Sequence, residues 1–247
     1  MRPIRCAVMV LAAGAVATAC GGDNKRTSRP RDSTVATVPD TETKPSSGTG
    51  IPDGATAAGA TPKHTVLFLG TSLTAGLGLD PDSAYPQQIQ RKIDASALPY
   101  QTVNAGVSGE TSAGLLRRLD WVLQAPASVI VVETGANDGL RGQPVDGTSA
   151  TIARILTRIH TDRPDAQIVL AQMEAPTNMG APYTRAFHAM FPQLAKEHGA
   201  TLMPFLLDGV AGRPQMNQGD GVHPNLEGER VVTENVWRTL RPLLSRP

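Results

Sequence analysis

The chain has 247 residues, 40% of them hydrophobic, and a formal net charge of +1, so neither a nucleic-acid-binding basic surface nor a highly charged disordered protein describes it. Its two cysteines, Cys6 and Cys20, both lie near the N-terminus, which leaves no internal disulfide, cysteine nucleophile or thiolate metal site for the folded region.

The first element is an export signal. Arg2 and Arg5 precede an apolar stretch, Ala7 to Ala19, too short to span a bilayer, and it ends in Ala17-Thr18-Ala19-Cys20. Residues 1–19 therefore read as a signal peptide. Ordinary cleavage after Ala-x-Ala would release a soluble protein. Small residues followed by Cys20 and Gly21-Gly22 resemble a bacterial lipobox, and the position of the cysteine favours an acylated Cys20 that anchors the protein to a membrane. Either reading puts the protein outside the cytoplasm, on the periplasmic side of the cell envelope. Residues 20–62 are rich in Thr, Ser, Pro, Gly and Ala with almost no large apolar side chain, a composition that cannot offset its ordering entropy, and they read as a disordered tether.

Residues 63–247 form one domain of ordinary size. Strand patterns cover Thr65–Leu69, Tyr100–Asn104, Val129–Glu133, Ile168–Gln172 and Thr201–Phe205. Between them, apolar residues recur at helical spacing: Tyr85, Ile89, Ile93; Leu115, Leu119, Val122; Ile152, Ile155, Leu156, Ile159; and Phe187, Met190, Phe191, Leu194. Val232, Val236 and Leu240 mark a last helix, and Pro192 is expected to kink or divide the fourth. Five strands alternating with five helices predict an α/β domain, a doubly wound, flavodoxin-like, five-stranded parallel sheet with helices on both faces. Ligands in such sheets gather at the carboxyl ends of the strands.

That rim collects the polar motifs. The first strand runs into Gly70-Thr71-Ser72-Leu73, where a strand fixes the position and a glycine turn exposes a serine hydroxyl. Taken alone, a serine after glycine at a strand end is more often an ordinary turn residue or helix N-cap than a nucleophile. Asn104-Ala105-Gly106 ends the second strand and Glu133-Thr134-Gly135-Ala136-Asn137-Asp138-Gly139 the third; either could be a plain turn. Asp220-Gly221-Val222-His223-Pro224 precedes the last helix. Proline biases His223 toward extended backbone, and a carboxylate three residues earlier can fold back onto Nδ1, leaving Nε2 free to take a proton from Ser72. His64, His160, His188 and His198 have no ligand-like spacing, so no metal is expected; Gly76-x-Gly78 lacks the context of a dinucleotide loop; and no Gly-x-Ser-x-Gly elbow occurs.

These blocks, in this order, resemble the SGNH (GDSL-type) hydrolase family over essentially all of residues 63–247. Asn104 to Gly114, Asn137 to Gly142 and Met203-Pro204-Phe205 resemble its branch of periplasmic multifunctional acyl thioesterases, lysophospholipases and arylesterases. The resemblance implies a catalytic set of Ser72 as nucleophile, His223 as base and Asp220 as orienting acid, with an oxyanion hole from the N–H groups of Ser72 and Gly106 and the side-chain amide of Asn137. It implies no cofactor and no obligate protein partner; the substrates are small carboxylic esters or thioesters, aryl esters or lysophospholipids. Thr71 stands where the family has aspartate, a departure that bears on the order of the loop and on specificity rather than on the reaction. Two alternatives use the same rim, a carbohydrate O-acetylesterase and a catalytically silent lipoprotein that binds lipid or glycan. The stretch Gly139 to Pro144 holds Leu140 and no aromatic platform for a sugar ring, which favours acyl chains.

Overall fold

The structure, a computed structural model, describes residues 64–244. The export segment, Cys20 and the linker to residue 62 lie outside the described residues.

Strands β1 (His64–Gly70), β2 (Tyr100–Gly106), β3 (Val129–Val132), β4 (Gln167–Ala171) and β5 (Thr201–Met203) form one parallel sheet in the order β2-β1-β3-β4-β5. The central strands read as unbroken apolar runs because both faces are covered: all four residues of β3 and six of seven in β1 are buried. In the edge strand β2 only Tyr100 is buried, and the other six residues keep some access to solvent. Strand β5 stops at Met203, short of the predicted Phe205, because Pro204 has no N–H to continue a ladder.

Five long helices supply the covering layers. α2 (Tyr85–Ala95) packs against α7 (Leu226–Leu244) on one face, while α3 (Ser112–Val122), α5 (Val145–Asp162) and α6 (Ala181–Glu197) pack in sequence on the other. Each turns its periodic apolar residues inward, among them Ile89 and Ile93 of α2, Ile152, Ile155 and Ile159 of α5, and Phe187 and Phe191 of α6. This is the predicted doubly wound α/β architecture.

Pro192 does not divide the fourth long helix: α6 runs through it. The ring's missing N–H leaves one unpaired carbonyl, at His188, which lies on the exposed face where water can satisfy it, while Phe187, Met190, Phe191 and Leu194 hold the other face in the core. Two further helices, α1 (Ser72–Ala75) and α4 (Ala136–Leu140), each a turn or so long, replace what the sequence shows as turns after β1 and β3.

In the order 2-1-3-4-5 the chain leaves β1 and β3 in opposite directions, opening a crevice between their carboxyl ends. α1 begins directly after β1 and α4 shortly after β3, so Ser72 and Asn137 flank that crevice.

Candidate active site

Ser72 opens α1 with Thr71 as N-cap, and its side chain is largely buried at the crevice floor. The turn is tight because two glycines permit it. A Cβ on Gly70 would lie 1.9 Å from Thr74 Oγ1, and one on Gly106 would lie 2.4 Å from the backbone nitrogen of Ala75 and 2.9 Å from the Thr71 carbonyl oxygen. The ends of β1 and β2 thus press together directly against the serine turn.

His223 arrives from the loop before α7. Its Nε2 lies 2.8 Å from Ser72 Oγ, and its Nδ1 lies 2.6 Å from Asp220 Oδ2. Asp220 Oδ1 accepts the backbone N–H groups of Val222 at 2.9 Å and His223 at 3.0 Å, so one carboxylate both shapes the loop and meets the imidazole. The hydrogen bond from the His223 ring, reinforced by those two amides, holds the Asp220 carboxyl well below the ordinary aspartate range.

The loop is tied across the sequence to the serine side. Gln218 Nε2 donates to the Leu77 carbonyl at 2.7 Å and to that of Pro224 at 2.9 Å, while its backbone N–H donates to the His223 carbonyl at 2.7 Å. Sequence reading passes over Gln218, because one glutamine in a polar loop carries no pattern.

The amide donors differ in availability. Among the described residues no acceptor takes the Ser72 N–H. Asn137 Nδ2 donates to the Glu110 carbonyl at 2.9 Å, which uses one of its two hydrogens. The Gly106 N–H is already held, at 2.9 Å, by Asn104 Oδ1, and Asn104 Nδ2 donates to the Thr74 carbonyl at 2.8 Å. The segment between Gly106 and α3 is braced by Arg118, whose guanidinium grips the Glu110 carboxylate at 2.7–3.0 Å and the Ala105 carbonyl at 2.8 Å. Asp138 is structural: its carboxylate accepts the backbone N–H and the hydroxyl of Ser112, at 2.8 and 2.6 Å, pinning α4 to the start of α3.

Ser72, Asn137 and His223 meet on the wall of one cavity of about 690 Å³, with Asp220 behind the histidine. Gly106 lies beside the serine turn rather than on that wall. The remaining wall is mostly apolar: Leu77, Leu140, Met173, Phe205, Leu207 and Val222. Leu140 is the residue that the stretch Gly139 to Pro144 contributes to this wall.

Against known proteins, the sequence profile of the GDSL-like lipase/acylhydrolase family matches residues 68–231, a stretch that takes in Ser72, Asn137 and His223 together. The chain belongs to this family.

The hydrolase is 36% identical to esterase TesA of Pseudomonas aeruginosa over 182 residues, covering 73% of this chain and 90% of the relative. It is also 36% identical to thioesterase 1/protease 1/lysophospholipase L1 of Escherichia coli, covering 73% of this chain and 85% of that one. The crystal structure of the psychrotrophic esterase EstA from Pseudoalteromonas sp., inhibited by monoethylphosphonate, superposes with a TM-score of 0.70 at 32% identity, over 74% of this chain and all of that one. The protein is therefore an SGNH-type ester hydrolase with esterase, thioesterase and lysophospholipase relatives.

Proposed function

We propose that this hydrolase cleaves acyl esters and thioesters, aryl esters and lysophospholipids among them, through an acyl-enzyme on Ser72. The observation that carries the reading is the continuous contact from Asp220 through His223 to a serine that opens into an apolar cavity. His223 Nε2 takes the Ser72 proton as Oγ attacks the acyl carbonyl, and Asp220 keeps the imidazole in the required tautomer and stabilises the imidazolium. The developing oxyanion is met by the Ser72 N–H and the second amide hydrogen of Asn137, and by the Gly106 N–H once Asn104 yields it. Collapse expels the alcohol or thiol with the proton from His223. Water, activated by the same imidazole, then attacks the acyl-enzyme and releases the acid.

The acyl chain occupies the wall formed by Leu140, Met173, Phe205 and Leu207. That apolar lining supports acyl groups over sugars, and the connected Ser72, His223 and Asp220 support catalysis over silent binding. Hydrolysis of a p-nitrophenyl ester chain-length series by the wild type and Ser72→Ala tests the reading: the variant is expected to lose activity by about 10⁴-fold or more with its fold intact. Turnover of every ester by Ser72→Ala at the wild-type rate, or of none by the wild type, overturns it.

The protein acts in the cell envelope, held to a membrane by acyl groups on Cys20, as the Ala17-Thr18-Ala19-Cys20 sequence supports. Mass spectrometry of the mature N-terminus checks this: an unmodified Cys20 rules the anchor out.

A further inference from the structure

Beneath Ser72 lies a carboxyl group with no task in the reaction just described. Glu133 follows four consecutive core residues of β3, Val129 to Val132, at a position where packing alone would call for another aliphatic side chain, and it is completely buried. It accepts the Thr71 backbone N–H at 2.7 Å, the Thr71 hydroxyl at 3.0 Å and the Thr74 hydroxyl at 2.9 Å. The Thr74 hydroxyl, used as a donor there, receives the phenol of Tyr85 at 2.6 Å. Two of these residues stand on either side of Ser72 in the chain. Gly70 leaves room for the cluster, since its Cβ would strike both Thr74 Oγ1 and, at 2.7 Å, Glu133 Oε2.

We propose that Glu133 is a positioning residue for Ser72: by gripping Thr71 and Thr74 it sets the direction of the Ser72 N–H and of Oγ toward His223. The inference rests on the reading of Ser72 as nucleophile. A carboxylate suits the task because it accepts from every donor at once, whereas a neutral acid or an amide must turn a hydrogen toward at least one of them. Thr71 fits this partner through its hydroxyl. The aspartate that the family resemblance leads one to expect at 71 would instead place a second acceptor beside Glu133.

The groups facing the carboxyl are Thr71, the N-cap of α1, Thr74 from α1 and Tyr85 from α2; beyond Tyr85, α7 contributes Glu229, which accepts the Tyr85 backbone N–H. No cation pairs with Glu133 among the described residues. Burial pushes Glu133 up to about 7, against the pull of the Thr71 and Thr74 hydrogen bonds. Its ionised, gripping form is therefore lost as pH falls through neutrality.

The test is kcat and KM against pH for the wild type, Glu133→Gln, Thr74→Val and the pair Thr71→Ala and Thr71→Ser, with Tm recorded for each. Glu133→Gln is expected to lower kcat by roughly 10- to 100-fold at unchanged KM, and to leave an acid limb set by one proton where the wild type shows two. Thr74→Val and Thr71→Ala remove one donor each, so their acid limbs move to higher pH, and Thr71→Ser restores the wild-type profile. If Glu133→Gln does not fold, the threonine variants carry the test unaided. Wild-type kcat and acid limb in Glu133→Gln, or threonine variants that change Tm but not the pH profile, overturn the proposal. Full activity in Ser72→Ala would instead overturn the nucleophile reading.

Discussion

Asn104 Oδ1 accepts the backbone N–H of Gly106 at 2.9 Å, so one of the three amides implied for the oxyanion hole is engaged in the resting enzyme, while the second hydrogen of the Asn137 amide is not. The two asparagines should therefore differ in mutagenesis. Asn137→Ala is expected to reduce kcat about 100- to 1000-fold, the usual cost of one such donor. Asn104→Ala frees the Gly106 amide but severs the tie from β2 to the Thr74 carbonyl, and the smaller loss, about tenfold, reflects that partial offset. Equal losses on a common p-nitrophenyl ester would refute the distinction.

Asp220 does two jobs that one substitution separates. In Asp220→Asn the side-chain oxygen still accepts the Val222 and His223 amides, so the loop and Tm should stay close to wild type. The amide, however, presents hydrogens to His223 Nδ1 and selects the wrong tautomer, and kcat should fall about 10³- to 10⁴-fold. Because Asp220 is held far below neutrality, its own protonation contributes nothing to the pH profile above pH 4. A large drop in Tm accompanying the loss of activity would assign Asp220 to the loop alone.

Two buried acids make stability depend on pH with an unusual sign. Burial raises Glu133 to about 7 and Glu229 to about 8 from the ordinary glutamate value of 4.5. Between pH 4.5 and 8 the folded state thus holds protons that the unfolded chain has released, and stability falls as pH rises through that window. Tm should be higher at pH 5 than at pH 8.5 by several degrees. Glu229 Oε2 has no hydrogen-bond partner, so Glu229→Gln should flatten the slope and raise Tm at the alkaline end. A Tm that climbs between pH 5 and 8 contradicts both assignments.

Leu140 leaves α4 half exposed on the cavity wall, where no core packing depends on it. Leu140→Trp should shift preference toward shorter acyl chains by filling the cavity, at little cost in Tm. Leu140→Ala should move the optimum toward longer chains by no more than about tenfold in relative kcat/KM, the scale of a few methylene contacts. The ester chain-length series measures this directly, and unchanged profiles in both variants would place the acyl chain elsewhere.

The periodicity of the chain determined most of the fold. Four-residue apolar runs such as Val66–Leu69 and Val129–Val132 alternate with helical spacings, and only a covered parallel sheet buries both kinds of element. The blocks that hold Ser72, Asn137, Asp220 and His223 were legible as well, because their residue order carries information and each lies at a strand end or loop that the topology sends to one rim. Local propensity counts Pro192 as a kink or a break, and α6 is not divided there because the packing of Phe187 and Phe191 outweighs one lost hydrogen bond on the exposed face. The support of the site was not legible. Glu133 meets Thr71 across 62 residues, Gln218 meets Leu77 across 141, and Asn104 takes an amide that its sequence block assigns to the oxyanion. Such contacts are formed by chain crossings rather than by local pattern. A single polar side chain looks the same in sequence whether it faces water or a buried partner, and only the tertiary structure decides which donor is free, which carboxyl is buried and what holds the serine in place.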